Sequence, residues 1–276
     1  MYGTVWIVAT PLGNLGDFSP RGRQTLEAAD VILAEDTRRA GHLLQLAGIG
    51  GKRLLSLHEH NEDSRIAEVL ELLGQGLQVA VVSDAGTPLI ADPGYRLVAA
   101  CRRSGVSVVP VPGPCAPITA LMASGLPPYP FVFLGFLPRK AGEVRALFGA
   151  YAHVPATLVF FERKNRVLPT LALAFEVLGE REFCLARELT KKHEQFINGR
   201  LGQAPDMDGE LLGEVTVVVG PPEAGAATGE AEVLGLAKAM IVEGMRPKDA
   251  ARAVRERTRG WTAKRIYELI LEQDAE

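Results

Sequence analysis

Short apolar runs alternate with helix-patterned stretches from the start of the chain, and this alternation constrains the fold more than any other feature. Val5 to Ala9, Val31 to Ala34, Leu54 to Leu57, Val79 to Val82 and Val106 to Val111 read as strands. Between them, apolar residues recur at helical spacing: from Arg65 to Leu73, Ile66, Val69, Leu70 and Leu73 share one face behind Asp63 and Ser64, residue types that cap helices. Such a βαβ series predicts a largely parallel sheet, because each crossover helix returns the chain to lay the next strand in the same direction. The stretch Ser124 to Pro130 is too rich in Pro and Gly for a regular element, so a first α/β domain is expected over 1–124. A second, 125–222, would hold strands at Phe131 to Phe136, Thr157 to Phe161, Phe183 to Ala186 and Val215 to Val219, with helices from about Gly142 to Tyr151 and Val167 to Leu178. Pro221 to Gly229 reads as a linker. A helical domain over 230–276 follows, with patterns from Glu230 to Glu243, Pro247 to Gly260 and Thr262 to Glu272, the last capped by Thr262.

Within this frame one segment points to a ligand. The run Val79 to Val82 breaks abruptly into Ser83-Asp84-Ala85-Gly86-Thr87-Pro88, and the chain restarts as a helix where Asp92 and Pro93 read as an N-cap and first helical residue. In open α/β sheets ligands sit beyond the carboxyl ends of strands, where loops of this kind expose backbone N–H groups and a carboxylate. Turn chemistry accounts for the Gly and Pro but not for Asp84.

The formal net charge of −3 is unevenly spread: Arg246 to Arg265 holds eight Lys or Arg against two Asp or Glu, a balance of +6 that leaves −9 elsewhere. A basic tail of this kind can displace counterions from phosphates, although a solvated helix face would carry similar charges. Cys101, Cys115 and Cys184 are widely spaced with no C-x-x-C pair, so free thiols are expected. No apolar run reaches the ~18 residues of a bilayer span and the N-terminus lacks a signal-peptide pattern, so a cytoplasmic chain with no membrane partner is expected.

Three groups of residues carry a family resemblance. They are Val8-Ala9-Thr10-Pro11-Leu12-Gly13-Asn14-Leu15-Gly16-Asp17, then Ala34-Glu35-Asp36-Thr37-Arg38, then the Val81 to Tyr95 segment. His58-Glu59-His60-Asn61-Glu62, Pro112-Gly113-Pro114-Cys115-Ala116 and Ala186-Arg187-Glu188-Leu189-Thr190-Lys191 agree with them in order. On these motifs the chain resembles the bacterial 16S rRNA (cytidine-2'-O)-methyltransferases, within the superfamily of the tetrapyrrole methylases. The resemblance implies an α/β, two-domain tetrapyrrole-methylase-like fold with parallel-rich sheets plus a small C-terminal helical domain. It implies S-adenosylmethionine as cofactor, bound between the two α/β domains, 16S rRNA in the 30S subunit as partner, and a homodimer. Tetrapyrrole relatives open with a G-x-G-x-G-D loop that this chain lacks, which favours the rRNA branch. A tetrapyrrole methyltransferase and a non-catalytic RNA-binding ribosome-assembly factor remain the alternatives.

Carried over from the family, the cofactor pocket would be lined by Pro11, Asp84, Ala85, Gly86, Cys115, Ala116, Phe161, Arg187, Val215 and Thr216. Small residues at Ala85, Gly86 and Ala116 would let the main chain approach the ligand. Transfer to a ribose hydroxyl calls for collinear positioning and help with proton loss. Glu35, Asp36, Arg38, His60, Glu62, Glu162 and Glu188 all follow or end strands, and of these Asp36, Glu62 and Glu188 are favoured as substrate-side groups, with Arg38 and Arg187 pairing them or binding phosphate. For RNA phosphates the candidates are Arg163, Lys164, Arg252, Arg255, Lys264 and Arg265. Asn165 stands where the family more often has His, so a mechanism needing that ring fails here. His58 and His60 point to one side if on a strand, but histidines that hydrogen-bond a loop explain them better, and no metal is expected.

Overall fold

The computed structural model describes residues 2–58, 60–203, 205, 213–222, 230–242, 244–258 and 261–273. Elements β1 (Thr4–Val8), α1 (Pro20–Ala28), β2 (Val31–Ala34), α2 (Thr37–Leu46), β3 (Arg53–Ser56), α3 (Glu62–Gly74), β4 (Val79–Val81), α4 (Tyr95–Arg103), β5 (Ser107–Val111) and α5 (Ala116–Ala123) alternate as expected. The strands form one sheet in the order β3-β2-β4-β1-β5, and every neighbouring pair is parallel. Successive side chains of a strand leave on opposite faces. Val31, Leu33, Val79 and Val81 therefore enter one core with Val69, Leu73 and Leu97, while Ile32 and Ala80 enter another with Leu26 and Leu44. Burial on both faces explains why β2 and β4 read as continuous apolar runs.

Two helix starts differ from expectation. Helix α3 begins at Glu62, so Asp63 and Ser64 lie inside its first turn, and Asn61 spends its amide on the preceding loop, accepting from His58 N–H at 2.9 Å and donating to Ser56 O at 3.1 Å. Helix α4 begins at Tyr95 after Gly94 at φ 122°, so Asp92 and Pro93 are not its cap. Its first free amides, Arg96 and Leu97 N–H, donate instead to Glu62 Oε1 at 3.0 and 3.3 Å.

The second sheet is built from β6 (Phe131–Phe136), α6 (Ala141–Tyr151), β7 (Thr157–Arg163), α7 (Val167–Leu178), β8 (Glu182–Arg187), β9 (Gln195–Arg200) and β10 (Glu214–Val219), in the order β6-β7-β10-β8-β9. Only part of it fits the expectation of parallel-rich sheets. Strands β6 and β7 are parallel, whereas β7–β10, β10–β8 and β8–β9 are antiparallel; β8 and β9 are joined by a short connection with no crossover helix, and β10 runs against both its neighbours. One face packs Phe160, Leu185 and Val217 against Phe148, Leu171 and Ala174 of the two helices; the other packs Val159, Cys184 and Val218 against Ala120 and Leu121 of α5. Helix α5 thus ties the sheets into one compact unit, Met1–Pro221. Cys101 and Cys184 are free and buried, and burial pushes both thiols up to about 11.

A second unit, Pro222–Glu276, contains α8 (Glu230–Val242), α9 (Pro247–Arg257) and α10 (Ala263–Gln273) around Val233, Ala237, Ala250, Val254, Ile266 and Leu269. Thr262 Oγ1 accepts from Arg265 N–H at 3.1 Å, the expected cap. Helix α9 stops at Arg257 rather than Gly260, with the Thr258 hydroxyl donating back to Val254 O at 2.8 Å. The linker residues 223–229, and also 59, 243, 259 and 260, lie outside the described residues. No described helix is long and apolar enough to cross a membrane.

Candidate functional site

A cavity of about 590 Å³ opens beyond the carboxyl ends of β1, β2, β4 and β5, with its far wall on the second sheet. Leu12, Glu35, Asp84 to Thr87, Asp92 and Cys115 to Pro117 line it from the first half of the unit. Phe136, Phe161, Arg163, Glu188, Lys191, Glu214 and Thr216 line it from the second. The volume suits a ligand of cofactor size.

The floor is pinned by backbone. Thr10 N–H donates to Gly86 O at 2.8 Å and Gly86 N–H to Thr10 O at 3.1 Å, an isolated antiparallel bridge between the loops after β1 and β4. The Thr87 hydroxyl donates to Pro114 O at 2.8 Å, which joins the loop after β5 to the same floor. Gly86 has φ 80°, and a Cβ there would stand 2.9 Å from Leu12 Cδ2. The described non-glycine residues with positive φ are Leu89, Glu188 and Thr190, all on loops that border the cavity. Strain of this kind persists where the surrounding structure fixes a loop for use. On the far wall Phe161 meets Phe133 and Phe136 with ring centroids 5.2 and 5.1 Å apart, an apolar surface for a flat ring.

Charge is distributed by partner. Asp84 accepts from Asp36 N–H at 3.2 Å and from Arg39 Nη1 at 3.0 Å. Glu188 pairs with Lys191 at 3.0 Å. Asp92 is half-buried, and burial first, then the nearby carboxylates of Glu35, Asp84 and Glu214, raise its carboxyl to about 6.

The family model of the tetrapyrrole (corrin/porphyrin) methylases matches residues 4–205. Ribosomal RNA small subunit methyltransferase I of Mycobacterium tuberculosis is 44% identical over 99% of this chain and 96% of its own length. The proteins of the same name from Micromonospora olivasterospora and Escherichia coli O157:H7 are 43% and 41% identical over 97% and 98% of this chain, and over 86% and 96% of their own. The chain belongs to the ribosomal RNA small subunit methyltransferase I family. Among solved structures, the methyltransferase CobJ aligns with a TM-score of 0.61 at 21% identity over 82% of this chain and 96% of its own. The uroporphyrin-III-C-methyltransferase from Thermus thermophilus aligns at 0.54 and 22% over 80% and 93%. These two likenesses concern the fold.

The family takes its methyl group from S-adenosylmethionine, and the lining fits that molecule. Carboxylates outnumber cations around the cavity, as suits a sulfonium and an ammonium. The side chain of Cys115 caps none of the first amides of α5, so these face the cavity edge unclaimed by it, as suits a carboxylate. Gly86 and Ala116 bring main chain close, and the phenyl rings suit adenine.

Of the residues expected to hold cofactor, Asp84, Ala85, Gly86, Cys115, Ala116, Phe161 and Thr216 line the cavity. Val215 does not: strand alternation turns its side chain into the α6/α7 core. Arg187 lies on β8 with Nε donating to Gln195 Oε1 at 2.7 Å, outside the lining. Pro11 lines an adjoining groove with Asp36, Arg38, Arg39 and His42, which Asp84 and Lys191 share with the cavity.

The substrate-side candidates separate in the same way. Glu188 borders the cavity. Asp36 caps α2, with its Oδ1 accepting from Arg38 N–H at 2.9 Å and its Oδ2 meeting Arg38 Nη2 at 2.8 Å, and these contacts hold its carboxyl far below the usual range. Glu62 is turned away under α4, and Glu162 is buried beneath α7, accepting from the Thr170 hydroxyl at 2.8 Å and pairing with Arg166. Arg163 reaches the cavity, and Lys164 is exposed beside it. Sequence reasoning missed Asp92, Glu214, Phe136 and Lys191 as lining residues. Asp92 offered a signal, a second carboxylate eight positions after Asp84, but the Pro that follows made it read as a cap.

Proposed function

We propose that this chain transfers a methyl group from S-adenosylmethionine to the 2'-hydroxyl of a cytidine ribose in 16S rRNA of the small ribosomal subunit. One observation carries the reading: the tetrapyrrole methylase match ends at residue 205, whereas the rRNA methyltransferase relatives match over 97–99% of the chain, a span that must take in most of the unit with α8 to α10. Bound S-adenosylmethionine supplies an electrophilic methyl carbon. The chain's own part is to hold hydroxyl and donor in line, exclude water and accept a proton. The Asp84–Arg39 and Glu188–Lys191 pairs border the cavity, and the groove with Arg38 and Arg39 offers cations to phosphates next to the target ribose. A cytoplasmic location and a homodimer belong to the same proposal; exposed Ile118 and Met122, one turn apart on α5, support the dimer.

The test is transfer of labelled methyl from S-adenosylmethionine to 30S subunits lacking the modification, with the site found by mass spectrometry of RNA fragments. Label on a cytidine ribose is expected; label on a base, on a tetrapyrrole or on nothing overturns the reading.

In the C-terminal unit the basic residues divide by helix. On α10, Lys264 and Arg265 approach Glu268 at 3.9 and 3.7 Å, and Arg265 lies 3.3 Å from Glu272. On α9, Ala250, Ala251 and Val254 are buried whereas Arg252 and Arg255 are exposed, with no acidic partner among the described residues. We therefore assign the principal phosphate contacts to α9. Arg252→Glu with Arg255→Glu should raise the KM for 30S subunits about tenfold and flatten its salt dependence. Cofactor affinity should stay unchanged by calorimetry, and Lys264→Glu with Arg265→Glu should do less. Equal effects of the two pairs would sink the assignment.

A further inference from the structure

We propose that Asp92 is the proton acceptor of the transfer: it stands ionised while the cationic donor occupies the cavity and takes the proton that leaves the ribose hydroxyl. The inference rests on the methyl-transfer reading above and names the base that reading requires.

Most carboxylates of the site are already engaged. Asp84 is held by Arg39 and by the Asp36 N–H, Glu188 by Lys191, and Asp36 by Arg38, so each already serves a local contact. Glu62 and Glu162 are buried under helices. Glu35 and Glu214 line the cavity but are exposed. Asp92 is half-buried, lines the cavity and has no hydrogen-bond or ion-pair partner among the described residues.

A carboxylate in ordinary water is a weak base for a hydroxyl, and a useful one has its pKa moved toward the working pH. Asp92 has that property for reasons visible in the fold: burial and the facing carboxylates of Glu35 after β2, Asp84 after β4 and Glu214 on β10 raise it to about 6. The other charges lining the cavity are Glu188 and Lys191 after β8, which pair with each other, and Arg163 at the end of β7, whose side chain is exposed. A cation entering among these carboxylates lowers the proton affinity of Asp92 again.

The charge then changes during the reaction. The hydroxyl oxygen bonds to the methyl carbon, the carbon–sulfur bond breaks with its electron pair on sulfur, and the O–H proton passes to the Asp92 carboxylate. Loss of the sulfonium charge raises the proton affinity of Asp92 at the stage when the proton must be taken. Water receives that proton once product leaves.

The test uses the full chain and two ligands, S-adenosylmethionine and the neutral S-adenosylhomocysteine, titrated calorimetrically near pH 6 in two buffers of different ionisation enthalpy. The wild type is expected to release up to roughly half a proton with S-adenosylmethionine and much less with S-adenosylhomocysteine. Asp92→Asn should bind both and release none. Its kcat on 30S subunits should fall about 10²-fold or more, without the acid limb near pH 6 that the wild type shows. It should melt no lower than the wild type near pH 7.5, because no partner is lost; Asp92→Ser provides a second variant if the amide disturbs folding. Proton release that persists in the variant, or a kcat within threefold of wild type, overturns the assignment while leaving methyl transfer intact. Failure of the wild type to bind either ligand overturns the methyl-transfer reading and this inference with it.

Discussion

Gly86→Val is expected to leave a folded chain that binds S-adenosylmethionine about a hundredfold more weakly and transfers methyl correspondingly poorly. The reason is local. Gly86 sits at φ 80°, where an L-residue meets a penalty of roughly 1–2 kcal/mol and a β-branched one more. An added Cβ would also lie 2.9 Å from Leu12 Cδ2 and 3.6 Å from Pro114 O. Leu12 is the end of a flexible side chain and can give way, but the loop cannot relax freely, since the paired bonds with Thr10 at 2.8 and 3.1 Å hold it on both sides. Strain will be relieved by moving Asp84, Ala85 and Thr87, which form the cavity floor. A shift of about 1 Å in a positioning loop is enough to cost two orders of magnitude. Gly86→Ala should fall between the two, because it adds the φ penalty with a smaller clash. Calorimetric titration of both variants gives the answer, and a valine variant that binds as tightly as wild type would mean that the floor plays no part in holding the cofactor.

The first sheet was legible because β2 and β4 are buried on both faces and leave unbroken apolar runs, while the helices between them are amphipathic. Strand β9 was not. Gln195-Phe196-Ile197-Asn198-Gly199-Arg200 lies at the sheet edge, where only one neighbour and part of one face constrain composition, so Asn and Gly are tolerated and the strand signal is lost. The antiparallel character of the second sheet was hidden with it. In the site, Asp84 to Gly86 and Cys115–Ala116 line the cavity, since each lies where a strand gives way to a helix at the end of the parallel sheet. Residues whose direction depends on tertiary contacts were not readable. The α4 cap is Glu62, more than thirty positions away from the amides it accepts from, and no pattern near Asp92 reveals that the local candidate is released for other work. Val215 and Thr216 show the intermediate case: strand periodicity says that only one of two neighbours faces the ligand, but the identity of the buried face is settled by α6 and α7.

Arg181→Met is expected to destabilise the Met1–Pro221 unit by about 3 kcal/mol, a large effect for a substitution at a site distant from the cavity. Arg181 is 1% exposed, and among the described residues no carboxylate pairs with its charge. Its guanidinium instead donates to three carbonyls: Nη2 to Ala152 O at 2.6 Å, Nε to Leu178 O at 3.4 Å and Nη1 to Gly220 O at 3.4 Å. Two of these end helices, Ala152 after α6 and Leu178 as the last residue of α7, where unpaired carbonyls carry the negative end of the helix dipole. Burial pulls the Arg181 pKa below its ordinary value, yet a guanidinium starts so high that it stays charged. The two helix ends and the cation thus satisfy one another, and they clamp both helices to the start of β8. Methionine keeps much of the volume but leaves three buried carbonyls without a donor, each worth about 1–3 kcal/mol, with the two long bonds at the lower end. The denaturant midpoint measures the loss. Cofactor affinity of the variant, read well below its melting temperature, should remain within about threefold of wild type, because the cavity lies at the opposite end of β8, at Ala186 and Glu188. A midpoint equal to wild type would show that water or backbone adjustment replaces the guanidinium. A loss of affinity larger than the loss of stability would show instead that the helix clamp and the cofactor site are coupled through β8.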